Sequence, residues 1–105
     1  MNILFVCSRN IWRSPTAEAI YKGSQDHHIC SAGTEPSAKV RVSSKSILWA
    51  DIIFVMEKKH KERLVQNFPN YIVNKKIEIL DIEDDYKFMD KDLIHMIRLS
   101  VDPYL

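Results

Sequence analysis

The chain has 105 residues, 46% of them apolar, and a formal net charge of +1. That length suits one domain, residues 1–105, with an adequate core. The apolar share excludes a disordered chain, and near-neutrality removes any bulk-charge case for a nucleic-acid partner. No apolar run is long enough to span a bilayer, and the start Met1-Asn2-Ile3 lacks the basic region and cleavage pattern of a signal peptide. The two cysteines, Cys7 and Cys30, suit a reducing compartment better than a disulfide scaffold. A cytoplasmic monomer, away from membranes, is expected.

In chain order, Ile3 to Val6 is an apolar run that reads as a buried strand. Ser14 to about Ser24 reads as a helix, with Ser14 as its N-cap, Pro15 at its first position and an end near Gly23. His28 to Ser31 is a weak second strand, and Glu35 to Val42 is a loop. Ser43 or Ser44 caps a helix to about Ala50, and Asp51 to Met56 is a dense apolar strand. Lys58 to Phe68 is a charged helix ended by Pro69-Asn70. Lys76 to Ile82 is a fourth strand, and Asp90 to Val101 a last helix. Alternating strands and helices predict a three-layer α/β fold with a parallel sheet and helices on both faces. Right-handed crossovers leave few topologies, of which the order 2-1-3-4 opens a crevice at the carboxyl end of the first strand. Cys7 sits at that end.

The stretch Cys7-Ser8-Arg9-Asn10-Ile11-Trp12-Arg13-Ser14 therefore joins a strand directly to a helix. Unpartnered N–H groups and the helix dipole make such a junction an anion site, and the same field favours a thiolate at Cys7. The planar fork of Arg13 grips two oxygens of a tetrahedral dianion better than a lysine does. Ser14 is placed to give its hydroxyl hydrogen to the Cys7 sulfur, and Asn10 lies where a left-handed residue is tolerated. Alone, Cys7 reads as a small buried hydrophobe and Arg13 as a surface charge; the spacing is what makes them a phosphate loop.

These residues resemble the signature of the low-molecular-weight protein tyrosine phosphatase family: a cysteine, five residues, Arg-Ser, then commonly Pro and an Ala-Glu pair. Cys7, Asn10, Arg13, Ser14, Pro15, Ala17 and Glu18 match. Ser31-Ala32-Gly33-Thr34 and Ala50-Asp51-Ile52-Ile53-Phe54-Val55-Met56 resemble two further stretches of that family. Trp12 stands where the family commonly has a second cysteine, Arg9 stands for its usual glycine, and the chain is shorter than typical members. The resemblance implies a phosphatase-I-like fold and a phosphomonoester hydrolase, a protein tyrosine phosphatase working through a phosphocysteine. It needs no cofactor and no metal; the four histidines form no convincing ligand set.

In that family an Asp-Pro-Tyr triplet supplies the general acid. Asp84-Asp85-Tyr86 matches it after the fourth strand, with Asp85 in place of proline, whereas Asp102-Pro103-Tyr104 reproduces the letters near the end of the chain. Asp84 is favoured because it follows a strand at the edge that holds Cys7, and reach comes before acidity in judging an acid; Asp85 and Asp102 remain alternatives. Expected substrate contacts are Ser8, Arg9, Asn10, Ile11, Trp12, Ser14 and Tyr86, with Ile11, Trp12 and Tyr86 as apolar walls for an aryl group. Trp12 reads equally as core beneath the loop. The expected partner is a phosphorylated protein or a small aryl phosphate. Lys58, Lys59, His60 and Lys61 read as a wet helix start, with docking of an acidic substrate as the rival. Cys30 reads as a buried strand thiol, with pairing to Cys7 as the rival. Two other functions stand beside hydrolysis: a phosphate or phosphoprotein sensor without turnover, and a thiol-dependent arsenate reductase, which needs more cysteines than Cys30.

Overall fold

The computed structural model describes residues 1–105. Its four strands are β1 (Asn2–Cys7), β2 (His28–Gly33), β3 (Ile52–Val55) and β4 (Lys76–Ile79), all parallel and in the order β2-β1-β3-β4. The helices are α1 (Arg13–Tyr21), α2 (Ser44–Trp49), α3 (Lys58–Asn67), α4 (Pro69–Ile72) and α5 (Lys91–Val101), followed by a 3₁₀ turn over Asp102–Tyr104. The expected order and the helices on both faces are both present.

Strand β1 is central, so both of its faces are covered, and its sequence is accordingly apolar at nearly every position. Ile3, Phe5 and Cys7 face a core shared with Ala17 and Tyr21 of α1 and Leu93, Ile97 and Val101 of α5. Leu4 and Val6 face the other core, with Ile47 of α2, Leu64 of α3 and Ile72 of α4. The Phe5 ring stacks on Tyr21 at 5.9 Å and on Phe54 at 5.4 Å between centroids, which ties α1 to the sheet centre. No helix is long and apolar enough to cross a membrane.

Several element ends differ from the sequence expectation. Helix α1 begins at Arg13, so Ser14 is inside it rather than capping it, and the N-cap position falls to Trp12, which has no side-chain cap bond. The Trp12 carbonyl instead takes both the amide (3.1 Å) and the hydroxyl (2.6 Å) of Thr16. Strand β2 runs on to Gly33, whereas β3 and β4 are shorter than expected. Beyond β4 the chain still follows β3, through Leu80 N–H to Val55 carbonyl (2.9 Å) and Ile82 N–H to Met56 carbonyl (2.8 Å). Pro69 does end α3, but it also opens α4, as a first-turn proline can. Ser43 caps α2 and Asp90 caps α5, as their side chains suggest.

Cys30 is exposed rather than buried. It sits opposite Leu4 on β2, whereas Cys7 sits opposite Gly33. Three residues of strand, roughly 10 Å, therefore separate the two cysteines along the sheet, which is too far for a disulfide. The edge strand's alternation turns Cys30 outward where an interior thiol was expected.

Gly33 is where β2 meets the Cys7 loop. A Cβ there would stand 2.5 Å from the Ser8 carbonyl oxygen and 3.0 Å from the Asn10 nitrogen. Both are backbone atoms of the loop, so neither yields as a flexible side chain would. Gly33→Ala is expected to lower the urea midpoint by the equivalent of about 1–3 kcal/mol, the usual cost of overpacking; an unchanged midpoint would mean that the loop has slack.

Candidate active site

The loop between β1 and α1 is shaped by where its carbonyls go. Those of Cys7, Ser8 and Arg9 accept the amides of Thr34 (3.0 Å), Glu35 (2.9 Å) and Lys39 (3.0 Å). In a planar trans peptide the N–H points opposite to the C=O, so the amides of Ser8, Arg9 and Asn10 are turned into the loop. The Asn10 amide meets the Cys7 sulfur at 3.3 Å. Asn10 has φ 57°, the left-handed conformation expected for the residue at the bend. It is held there by its own side chain: Nδ2 donates to Ser14 Oγ (2.8 Å) and Ser31 Oγ (2.9 Å). The Ser31 hydroxyl donates onward to Glu18 (2.5 Å).

Because Ser14 Oγ accepts from Asn10, its hydrogen is free to point elsewhere. The Cys7 sulfur is nearest, at 2.9 Å, and the Ala32 carbonyl lies farther off at 3.4 Å. The loop thus aims an amide and a hydroxyl at one sulfur.

Arg13 is 2% exposed, although alone it reads as a surface charge. A buried guanidinium requires partners. Nη1 donates to Glu57 Oε2 (2.5 Å) and to the Ile82 carbonyl (2.9 Å), while Nε lies 3.5 Å from Asp84 Oδ1. Burial pushes the Glu57 carboxyl up, but the Arg13 hydrogen bond and charge, with Lys59 and His60, outweigh it and hold it below the ordinary carboxylate range. Cys7, Arg9, Ile11, Trp12, Arg13 and Asp84 line one small cavity of about 40 Å³. The expected nucleophile, clamp and acid therefore share a space.

The other expected contacts divide. Ser8, Asn10 and Ser14 lie behind the cavity as its frame. Trp12 is 39% exposed and stands on the rim, which decides against the core reading. Tyr86 does not line the cavity: it packs against the α1–α5 core, and its hydroxyl donates to the Met96 sulfur at 3.9 Å. Apolar partners below the acid loop draw the ring inward, so the expected wall is absent. Asp85 faces Glu83, whose carboxyl it pushes up by hydrogen bonding and charge. Asp102 accepts the Tyr21 hydroxyl at 2.5 Å, at the far end of α1 from Cys7. Next to it, Tyr104 lies against Lys76 at the start of β4. No group of three or more His, Cys, Asp or Glu side chains is placed to hold a metal ion.

Two residues of the site went unread in the sequence, Glu57 and His60. His60 is 1% exposed and far from a wet helix start. The Glu57 amide donates to its Nδ1 (3.0 Å), so that nitrogen carries no hydrogen, and Nε2–H donates to Ser8 Oγ (2.8 Å). The spacing Glu57-x-x-His60 at a helix start is the available signal, since each end caps the other.

Burial, then the Arg13 charge, push His60 down from 6.5 to about 4, against the pull of Glu57. Between those values the unfolded chain holds a proton that the folded chain does not. Stability therefore rises with pH across this window and is lost as pH falls from about 6.5 towards 4, by up to about 3 kcal/mol. Glu57, with its depressed carboxyl, adds a loss in the same direction at the acid end. Urea denaturation from pH 4 to 6.5 should show this slope in the wild type and a much flatter one in His60→Gln; equal slopes would mean that the histidine takes its proton without cost.

The model of the low molecular weight phosphotyrosine protein phosphatase family matches residues 2–48. No curated protein matches the chain. Among solved structures it is similar to the tyrosine phosphatase Wzb from Escherichia coli K30 in complex with phosphate: 20% identity over 98% of this chain and 94% of that one, TM-score 0.78. Wzb from Vibrio vulnificus in complex with benzylphosphonate is 25% identical over 96% of this chain and 92% of that one, TM-score 0.72. The YwlE arginine phosphatase from Geobacillus stearothermophilus is 24% identical over 97% of this chain and 84% of that one, TM-score 0.68. The signature loop lies inside the matched segment, and the fold shared with these structures runs through nearly the whole chain.

Proposed function

We propose that this chain hydrolyses phosphomonoesters in two steps, with Cys7 as nucleophile, Arg13 as phosphate clamp and Asp84 as general acid and base. The observation that carries the reading is the single cavity lined by all three, beneath amides turned inward by the carbonyl bonds of the loop. In the first step the Cys7 thiolate attacks phosphorus. The bond to the leaving oxygen breaks, and that oxygen takes the proton of Asp84. The loop amides of Ser8 to Arg13 and the remaining guanidinium N–H groups of Arg13 hold the equatorial oxygens as charge spreads over them. In the second step water gives a proton to the Asp84 carboxylate and attacks the phosphocysteine, releasing inorganic phosphate and the thiolate. The positive field in both steps comes from amides and arginine, so no metal enters.

Ile11 and Trp12 make the rim apolar, which suits an aryl phosphate, phosphotyrosine above all. The similarity to an arginine phosphatase makes phosphoarginine the rival substrate, with a P–N bond broken and a guanidine nitrogen taking the proton in place of the leaving oxygen. Residues 1–105 act in this reading as one domain and a monomer, on a phosphorylated protein or small aryl phosphate, in a reducing compartment such as the cytoplasm. The distance between Cys30 and Cys7 along the sheet weighs against the thiol relay of an arsenate reductase.

Assay with p-nitrophenyl phosphate tests the proposal. Cys7→Ser should abolish turnover, Asp84→Ala should lower kcat by about 10²–10⁴-fold, and Asp102→Ala should leave it within about twofold, as expected of a group outside the site. Tight phosphate binding without turnover would make the protein a sensor, and a collapse of the rate in Asp102→Ala alone would reassign the acid.

A further inference from the structure

A second groove adjoins the catalytic cavity and shares two of its walls. Ile11 and Trp12 line both, and the groove of about 540 Å³ continues along α1 to Phe88, with Glu18, Lys22 and Lys39 around it. Phe88 is 53% exposed and takes no part in the cavity that holds Cys7. It is presented there by its neighbour. Met89 has φ 62°, an uncommon conformation for a residue with a side chain, and its amide is fastened to Thr16 Oγ1 on α1 at 2.9 Å. The acid loop is thus pinned to α1 at the point where an aromatic ring is left in solvent beside an exposed tryptophan. Two aromatic rings in one concave surface next to a reactive site are the usual mark of recognition. The charge around the groove is uneven. Glu18 is engaged by the Ser31 hydroxyl, whereas Lys22 and Lys39 take part in none of the ion pairs.

We infer that this groove is a subsite for the substrate chain flanking the phosphorylated residue, and that it takes an extended peptide carrying an apolar residue beside an acidic one. The inference rests on the phosphatase reading of Cys7 and adds its substrate class. An extended chain leaving the cavity passes Ile11 and Trp12, which line both spaces, and so enters the groove that Phe88 lines. The apolar side chain packs between Trp12 and Phe88, and the acidic one meets Lys39 or Lys22.

The experiment compares kcat/KM for two phosphotyrosine peptides and for p-nitrophenyl phosphate. One peptide has Leu and Glu on both flanks, and the other has Gly and Ser. Wild type should prefer the Leu/Glu peptide about tenfold. Phe88→Ala should remove that preference through KM, and Lys39→Glu should weaken the Leu/Glu peptide alone. Both variants should leave p-nitrophenyl phosphate within about twofold. Equal use of the two peptides by wild type, or equal losses on peptide and aryl phosphate, would overturn the subsite. If wild type turns over none of these, the phosphatase reading fails. The subsite is then read from the Kd of the Leu/Glu phosphopeptide, which must weaken about tenfold in Phe88→Ala and overturns the inference if it does not. Sedimentation supplies the remaining arm: a wild-type dimer that Phe88→Ala dissociates would give the groove to a second copy of the chain instead.

Discussion

A buried guanidinium holds this site together. Arg13 has almost no contact with water, so its charge must be met from within, and three groups on two segments meet it: Glu57 after β3, and the Ile82 carbonyl and Asp84 after β4. Removing one partner of such a group costs about 3–5 kcal/mol, because the remaining charge is stranded. The fold must therefore bring the carboxyl ends of β1, β3 and β4 to one edge before Arg13 can be buried. With Nη1 committed to Glu57 and Ile82 and Nε 3.5 Å from Asp84, Nη2 is the part of the fork left to meet an anion over Cys7. The Glu57 pair fixes the direction of the guanidinium, and the Ile82 carbonyl and Asp84 bring the segment after β4 against it.

The Cys7 loop is held with comparable economy. Its carbonyls bond outward to the segment after β2, Gly33 lets that segment approach, and Asn10 links the bend to Ser14, Ser31 and through it Glu18. None of these groups need touch a substrate. Their work is to keep the N–H groups of Ser8, Arg9 and Asn10 turned inward, which requires the opposing carbonyls to be satisfied elsewhere. His60 extends the frame to Ser8, and its burial first, then the charge of Arg13, disfavour its charged form. Acid therefore acts on this site from behind, through the frame.

Much of this was legible in the residues. The strand–loop–helix signature, the alternation that dictates a parallel sheet, and the winding reversal at β1 all act locally or through topology, and they converge on Cys7. The place of Asp84 beside Cys7 was legible because a loop after a strand lands at the same edge as Cys7, whereas Asp102-Pro103-Tyr104 follows the last helix and lies with Tyr21 instead. What stayed hidden depends on contacts between distant segments. Glu57 and His60 sit in a stretch whose lysines suggest a solvated helix, and only the burial of Arg13 gives them their function. Trp12, Tyr86 and Cys30 each turn on the direction of one side chain. A rim position, an apolar pocket below the acid loop and an edge strand decided them. Ser14 looked like a cap because serine commonly is one, yet its hydroxyl is taken by Cys7 and Asn10.

The central claim is a covalent one, that phosphorus passes through the Cys7 sulfur. It is tested most directly by mass spectrometry of Asp84→Ala protein quenched during reaction with p-nitrophenyl phosphate. That substrate's good leaving group needs little help in the first step, while the second step is stalled without its base. A single phosphoryl group on the peptide containing Cys7, absent when Cys7 is replaced by serine and no substrate is supplied, is the result this account predicts. Turnover with no phosphorylated cysteine at any quench time, or with the phosphoryl group on another residue, would contradict it.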